Sequence, residues 1–379
     1  MKIVKKKVVF IQRTLKFYRL SFFDLLKEKC ERNGIEVSVI YGVDDIIKFN
    51  NADLEWGIKI KHYKINLFGK YLYYQPALKY LKDADLVIVE QASKLLINYY
   101  LWILNLIGNK KLAFWGHGVN FQTRNSKNIS EIIKKIMTRK IHRFFAYNDL
   151  SKRLVEKIGM PSDRITAIYN TLDTVQITKH IDEWDKKKVK EFKRKLGIGS
   201  NNICLFVGGM YKDKRLDFLL KSIILVKKSV PDMEFIFIGD GLDKDIIVKA
   251  SNENKWIHYE GPKNDLEKVP YFLMSKLFLI PGLVGLAIID TFIFGVPLIT
   301  TDCKIHSPEI DYLENQKNGI IAENNITDYS SVIIDLLQNE EKRLKLIDGC
   351  IQSAKKYTIE NMVDSFYEGI SLSIGKNRV

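Results

Sequence analysis

The chain has 379 residues, 46% hydrophobic and 28% charged, with 22 Gly and 8 Pro. This is globular composition, long enough for two domains or one large one, and it excludes a disordered, collagenous or low-complexity chain. The net charge of +15 is unevenly placed: residues 1–180 carry 32 Lys and Arg against 16 Asp and Glu, and the remainder 28 against 29.

That asymmetry points the first half at an anionic partner: a nucleic acid, an anionic membrane surface or a phosphorylated substrate. No helix-turn-helix, zinc-finger or RNP-like aromatic pattern accompanies the charge, so nucleic acid is not expected. Cys30, Cys204, Cys303 and Cys350 are far apart, with no CxxC pair. They signal neither a disulfide framework nor a zinc site, and a reducing cytosol is the expected compartment.

Taken in chain order, the start reads as a strand, Lys7 to Gln12. Its apolar run is about five residues long and lacks the small-residue cleavage site of a signal peptide. Further strands are expected at Glu36 to Tyr41, Asp85 to Glu90, Lys111 to Gly116 and Arg143 to Tyr147, with helical patterns between them at Ser21 to Asn33 and Lys94 to Ile107. The longest apolar run, Leu95 to Gly108, is interrupted by Asn98 and Asn105. It falls short of the ~20 residues that span a bilayer. Tyr71 to Leu81, beside Lys70, Lys79 and Lys82, fits an aromatic interface belt or a packed helix. Glu131 to Arg143 sets Ile132, Ile133, Ile136, Met137 and Ile141 at helical spacing, with Lys134, Lys135, Arg139 and Lys140 on other faces. Such a helix lies on an anionic bilayer or turns its stripe to a core.

The polar stretch Thr171 to Lys190 reads as the connection between halves. Alternation then restarts with strands at Ile203 to Gly208, Glu234 to Gly239, Leu277 to Ile280 and Pro297 to Thr301, and the chain after Asp328 reads as helical. Short β runs alternating with longer helical ones make two doubly wound parallel α/β sheets. The expected division is a domain at 1–175, a linker at 176–190, a domain at 191–356 and a final helix at 357–379.

In such sheets ligands bind beyond the carboxyl ends of the strands. Four turns qualify. Pro281 to Asp290 runs from a strand through Gly282 and Gly285 into a helix, so the unpaired backbone N–H groups at the helix start are placed to hold a phosphate. Asp290, one turn further, is placed to accept the hydroxyls of a ribose. Gly208-Gly209 opens the backbone to a ligand, and Lys214 or Arg215 can neutralise a diphosphate. His117, between Gly116 and Gly118, presents an imidazole after a strand. The pair Asp83 and Asp85 has the DxD form of a metal site but precedes a strand, where Asp commonly serves a turn. No Walker loop, GxGxxG, HExxH or GxSxG is present.

These segments, in this order, resemble the retaining family-4 glycosyltransferases of the GT-B fold, over nearly the whole chain. The resemblance is carried by Phe17-Tyr18-Arg19, Trp115-Gly116-His117-Gly118, Ala146 to Asp149, Ile168 to Asp173, Leu205 to Lys214, Phe237 to Gly241, Tyr259-Glu260-Gly261 and Pro281 to Pro297. It implies two Rossmann-like domains facing across a cleft. A nucleoside-diphosphate sugar is held by the second, and a lipid-linked or surface-glycan acceptor, for example one carried on polyprenyl diphosphate, by the first. No metal or cofactor is implied. Lys214 would pair with the diphosphate, together with Gly208, Gly209 and the amides of Val284, Gly285 and Leu286, and Asp290 would take the ribose. His117 would face the reacting carbon, and Tyr18 and Arg19 would border the acceptor. The family's paired glutamates fall on Gly282 and Asp290, and its arginine after the first glycine falls on Gly209; Glu309 or Glu90 would substitute for the missing acid. A cytoplasmic enzyme at the inner face of a membrane is the reading that results. The alternatives are a nucleotide-sugar epimerase of the same architecture and a catalytically degenerate binding subunit.

Overall fold

The computed structural model describes residues 6–43, 52–67, 69–118 and 129–375. The chain divides into two compact units, Met1–Asp173 with Ile359–Val379, and Thr174–Thr358.

The first unit runs β1 (Lys6–Thr14), α1 (Leu20–Arg32), β2 (Ile35–Val43), β3 (Ile58–Lys61), β4 (Tyr63–Leu67), β5 (Lys70–Tyr74), β6 (Leu86–Glu90), α2 (Leu96–Leu106), β7 (Lys111–Gly116), α3 (Ile129–Lys140), β8 (Arg143–Ala146), α4 (Asp149–Ile158) and β9 (Ile165–Ala167). Seven of these strands form one parallel sheet in the order β3-β2-β1-β6-β7-β8-β9. Its central strands are apolar on both faces because helices cover both. Val8 to Ile11 and Leu86 to Val89 are fully buried, which is why they read as continuous apolar runs rather than alternating ones.

The second unit begins with two helices, α5 (Thr174–Ile181) and α6 (Lys186–Lys195). They occupy the stretch expected as a plain polar linker. α6 is almost all Lys, Arg and Glu, but Asp185 caps it by accepting from the Lys188 N–H, and Phe192 meets Tyr271 edge-on at 5.0 Å. The unit continues β10 (Ile203–Val207), α7 (Leu216–Ser229), β11 (Glu234–Ile238), α8 (Lys244–Glu253), β12 (Ile257–Tyr259), α9 (Val269–Leu273), β13 (Leu277–Leu279), α10 (Ala287–Phe294), β14 (Leu298–Thr301), β15 (Gly319–Ala322), α11 (Ile326–Gln338) and α12 (Glu340–Lys356). Its six strands are parallel, in the order β12-β11-β10-β13-β14-β15. The last helix, α13 (Ile359–Ile374), belongs to the first unit, where Phe366 stacks on Phe145 at 4.7 Å and meets Phe22 at 4.9 Å.

Both sheets reverse their strand order once, between β1 and β6 in the first unit and between β10 and β13 in the second. A crevice opens at such a point because the connections leave on opposite faces. The segment Tyr71 to Leu81 corrects the helical alternative: β4 and β5 pair antiparallel as a two-stranded hairpin outside the sheet, followed by a short 3-10 turn at Leu78–Tyr80. In α3 the apolar stripe divides. Met137 is buried, as is Ile141 just after the helix, whereas Ile132, Ile133 and Ile136 are exposed.

Candidate functional site

The crevice of the second sheet is lined by the turns after β10 and β13. Gly208 leaves β10 at φ 156°, and the chain reaches Lys214 through a 3-10 turn at Lys212–Lys214. The opposing turn after β11 fits only because residue 239 is glycine: a Cβ there would lie 1.9 Å from the Gly208 carbonyl oxygen. Arg215, at φ 57°, points its guanidinium back under the crevice and donates to the carbonyl of Pro281 and the hydroxyl of Thr301, each at 3.1 Å.

Lys214 is 5% exposed, and its Nζ donates to the Leu283 carbonyl at 2.6 Å. Burial pulls its pKa down to about 8, against the upward pull of Glu309 and Asp213. An ammonium carries three protons, so one bond to Leu283 leaves two for an anion. The two turns close on each other at Gly282, where a Cβ would sit 2.1 Å from the Asp213 carbonyl oxygen, and the Leu283 N–H donates to that same oxygen at 2.8 Å. The glutamate that the family pattern places at residue 282 has no room here. The contact that excludes it is the one that brings Lys214 over the β13 turn. At Gly209 a Cβ would meet the Tyr211 ring at 2.8 Å, so an aromatic face lies over the position of the family's arginine.

Two expected donor residues make contacts within the chain itself. The Val284 N–H donates to His306 Nδ1 at 3.3 Å, and its carbonyl accepts from Ser307 Oγ, so both backbone groups of Val284 are already engaged. Gly285 has open space where a Cβ would be, and Leu286 caps α10; the available amide edge is therefore Gly285 to Leu286 rather than Val284. Asp290 is 2% exposed, and its Oδ2 accepts from Lys268 Nζ at 2.8 Å. Lys268, itself buried, also reaches Asp265 at 2.7 Å. Asp290 is thus held through Oδ2 in an ion pair between α10 and the start of α9, while its Oδ1 is buried with no hydrogen-bond partner among the described residues. Burial pushes its pKa up to about 6 even beside that lysine. Glu309, 5% exposed, lies 2.5 Å from Ser307 Oγ, whose single proton it shares with the Val284 carbonyl, and it acts electrostatically on Lys214.

His306 was not singled out by sequence, although it stands three residues before Glu309. Because its Nδ1 accepts from Val284, its Nε2 carries the proton and donates to the Thr301 carbonyl at 2.7 Å. Cys303 Sγ lies 3.4 Å from that nitrogen. Burial would raise the thiol, but hydrogen bonding to His306, Thr301 and the Ile305 backbone opposes it, and Cys303 is lowered to about 7. Burial pushes Cys30, Cys204 and Cys350 up to about 12. Iodoacetamide near neutral pH is therefore expected to alkylate Cys303 first, as read by peptide mass mapping. Equal labelling of all four thiols, or none before denaturation, contradicts this assignment.

At the mouth of the first sheet the strand ends bring Arg19, Glu90, Trp115, His117 and Tyr147 together. Arg19 is buried rather than bordering open solvent. Its guanidinium lies 3.8 Å over the Trp115 ring, and Nη2 donates to Tyr147 Oη at 3.2 Å. Burial would lower Arg19; Tyr18, Tyr147 and Glu90 outweigh it and hold it above the ordinary value. Glu90, half-buried, is raised by burial against the pull of Arg19 and Arg13. His117 packs on Tyr147 with ring centroids 4.1 Å apart. Gln12 Nε2, Arg19 Nη1 and Trp115 Nε1 are buried without hydrogen-bond partners among the described residues. Buried donors without partners are costly, and three at one sheet mouth suit a polar ligand. Tyr18 is half-buried beside them.

Asp85, of the DxD pair, accepts from the Lys7 N–H at 2.8 Å and from Lys6 Nζ at 3.1 Å, so it anchors β1. Among the described residues no group of three His, Cys, Asp or Glu is placed to hold a metal ion. A hollow of about 630 Å³ in the second unit, lined by Trp184, Lys190, Asn201 and Met274, lies at the amino ends of β10 and β13, away from the crevice.

Comparison with known proteins bears on this geometry. Residues 201–339 match the family model described as Glycosyl transferases group 1. The matching segment is the one that builds the second crevice. An uncharacterized glycosyltransferase of Haemophilus influenzae is 26% identical over 182 residues, 46% of this chain and 50% of that protein. The alpha-monoglucosyldiacylglycerol synthase of Acholeplasma laidlawii is 26% identical over 184 residues, 47% of this chain and 45% of that protein. The matches thus span about half the length of these relatives. Among solved structures, Anabaena HepE in complex with UDP superposes with a TM-score of 0.71 at 13% identity, over 96% of this chain and 99% of that one. A glycosyltransferase from Rickettsia africae superposes with a TM-score of 0.72 at 15% identity, over 99% and 100%. The fold is that of the GT-B glycosyltransferases, with two parallel sheets of seven and six strands.

Proposed function

We propose that the chain is a glycosyltransferase that moves a hexosyl group from a nucleoside-diphosphate sugar to a lipid-linked or surface-glycan acceptor, with retention at the anomeric carbon. The observation that carries this reading is Lys214: a buried ammonium at the strand-order reversal of a group 1 glycosyltransferase segment, with one of its three protons engaged by Leu283. A diphosphate leaving group has the charge this site accepts. Gly208, Gly209 and the Gly285 to Leu286 amides give it a backbone edge, and the helix start adds about half a positive charge.

The work of the site is electrostatic. Lys214 and the amide edge stabilise charge that builds on the departing diphosphate as the glycosidic bond breaks. Tyr18 and Arg19 border the acceptor and His117 serves the reacting carbon, with Glu90 and Glu309 the carboxylates at the two sheet mouths. The reaction as read here needs no metal. Names of relatives support both partners. Anabaena HepE was solved with UDP-glucose, and a Staphylococcus aureus relative, 30% identical over 142 residues, is a poly(ribitol-phosphate) alpha-N-acetylglucosaminyltransferase. The excess charge of the first unit marks it as the part that meets an anionic membrane surface, where a polyprenyl-diphosphate-linked acceptor would be found; the enzyme itself is read as cytoplasmic.

A thermal-shift series over nucleotides and nucleotide sugars tests the donor site. A ligand at about 100 times its dissociation constant stabilises by ~2.7 kcal/mol. Stabilisation by a nucleoside diphosphate, with sugar transfer only when a glycan acceptor is present, is the expected result. A changed sugar with no acceptor indicates epimerisation, and binding without turnover indicates a degenerate subunit.

A further inference from the structure

The hairpin β4–β5 has two unlike faces. The cross-strand pairs Tyr63 with Tyr74, Ile65 with Leu72 and Leu67 with Lys70 share one; Lys64 with Tyr73 and Asn66 with Tyr71 share the other. On the second face Tyr73 turns toward the unit, whereas Tyr71 is 50% exposed beneath Lys64. Tyr73 packs against the core, meets His62 edge-on at 5.3 Å, and its N–H donates to the Lys94 carbonyl just before α2. On the first face Tyr63, Ile65, Leu67 and Tyr74 are between 43% and 50% exposed. The neighbouring helices also expose apolar side chains. α2 exposes Tyr100, Ile103 and Leu106; its Asn105 donates to the Lys140 carbonyl at 2.8 Å, and α3, which Lys140 ends, exposes Ile132, Ile133 and Ile136. Single exposed apolar residues are ordinary, whereas a run across three adjoining elements is not.

Charge decides what covers this surface. Residues 58–82 hold six lysines and no Asp or Glu; Lys59 pairs with Asp53, which leaves Lys61, Lys64, Lys70, Lys79 and Lys82 without an acidic residue in this stretch. A second copy docked by a two-fold axis would set this lysine cluster against itself. An anionic headgroup layer neutralises the same lysines while taking the apolar side chains a few ångströms deep. No helix of the described residues is long and apolar enough to cross a membrane, so an attachment made by the described residues is to the surface.

We propose that the outer face of the β4–β5 hairpin inserts into the headgroup region of an anionic bilayer, with α2 and α3 lying beside it. This rests on the membrane-facing reading of the basic unit and names the element that enters. The test is flotation of the full chain with vesicles of phosphatidylcholine alone or mixed with phosphatidylglycerol, using the wild type, the hairpin variant I65E/L67E and the helix variant I132E/I136E. Nucleotide thermal shifts and size-exclusion chromatography of each protein accompany it. The expected result is wild-type recovery with the mixed vesicles alone, falling as salt rises. I65E/L67E should recover at least ten-fold less, with an unchanged nucleotide shift that shows the fold and donor site intact. Wild-type flotation lost only in I132E/I136E overturns the hairpin's role while leaving the membrane reading in place. Wild type that fails to float overturns both. A wild-type dimer that I65E/L67E makes monomeric, without vesicle binding, assigns the face to a second copy and overturns the proposal.

Discussion

Lys214→Met is expected to lower sugar transfer ~10²-fold or more, by removing the charge that meets the leaving diphosphate. Folding should hardly notice. The depression from 10.5 to about 8 means that burying this charge costs about 3 kcal/mol, and loss of the Leu283 hydrogen bond offsets most of what its removal relieves. The pH dependence separates the two effects. Below about 8 the folded-state lysine is charged, so nucleoside-diphosphate affinity is highest there and falls as pH rises through 8. For stability the sign is opposite. Between about 8 and 10.5 the unfolded chain binds the proton more tightly than the folded one, so the contribution of this group to stability grows with pH across that window. Lys214→Met should flatten both slopes, measured by calorimetric titration of UDP and by denaturant unfolding over the same pH range. Near-normal turnover in the variant, or a UDP affinity that does not change with pH in the wild type, removes Lys214 from the diphosphate site.

The crevice that carries this argument was legible in the sequence because its signals are local. A buried parallel strand is a short apolar run, and a crevice turn is glycine at its carboxyl end, so Ile203 to Gly208 and Pro281 to Leu286 could be placed without knowing their neighbours. The parts that were not legible depend on partners far along the chain. Lys268 lies 22 residues before Asp290, and nothing in the spacing says that the two side chains meet. His306 reaches Val284 across the same distance. The glycine at 282 looked like the loss of a carboxylate; the fold shows instead that the backbone at Asp213 occupies its space. Composition misled at two places. The aromatic and lysine-rich stretch after Lys70 has no strict alternation, so it fitted a helix as well as a strand. The polar helices α5 and α6 hid their single apolar anchors, such as Ile177 and Phe192, among charges.

The largest effect on stability is expected at Lys268. With Lys268→Met, the Asp290 carboxylate stays buried in α10 with no counter-charge, and breaking a buried pair from one side typically costs 3–5 kcal/mol. The loss should shrink in acid. The Asp290 pKa already stands near 6 in the folded wild type, above its unfolded value of 3.8, so the folded state takes up this proton first and gains stability as pH falls between those values. Without Lys268 the folded pKa rises further, and the recovery on acidification is larger and begins at higher pH. Lys268→Met/Asp290→Leu removes both charges and should return to within about 1–2 kcal/mol of the wild type, because neither desolvation penalty remains. Asp290→Asn is the discriminating single change, since Lys268 keeps Asp265 as a partner. If Asp290 serves the ion pair, the variant melts earlier by the same amount with and without UDP. If it grips the ribose, apo stability holds and only the UDP-induced shift is lost, and the assignment of Asp290 to the α9–α10 junction is then wrong.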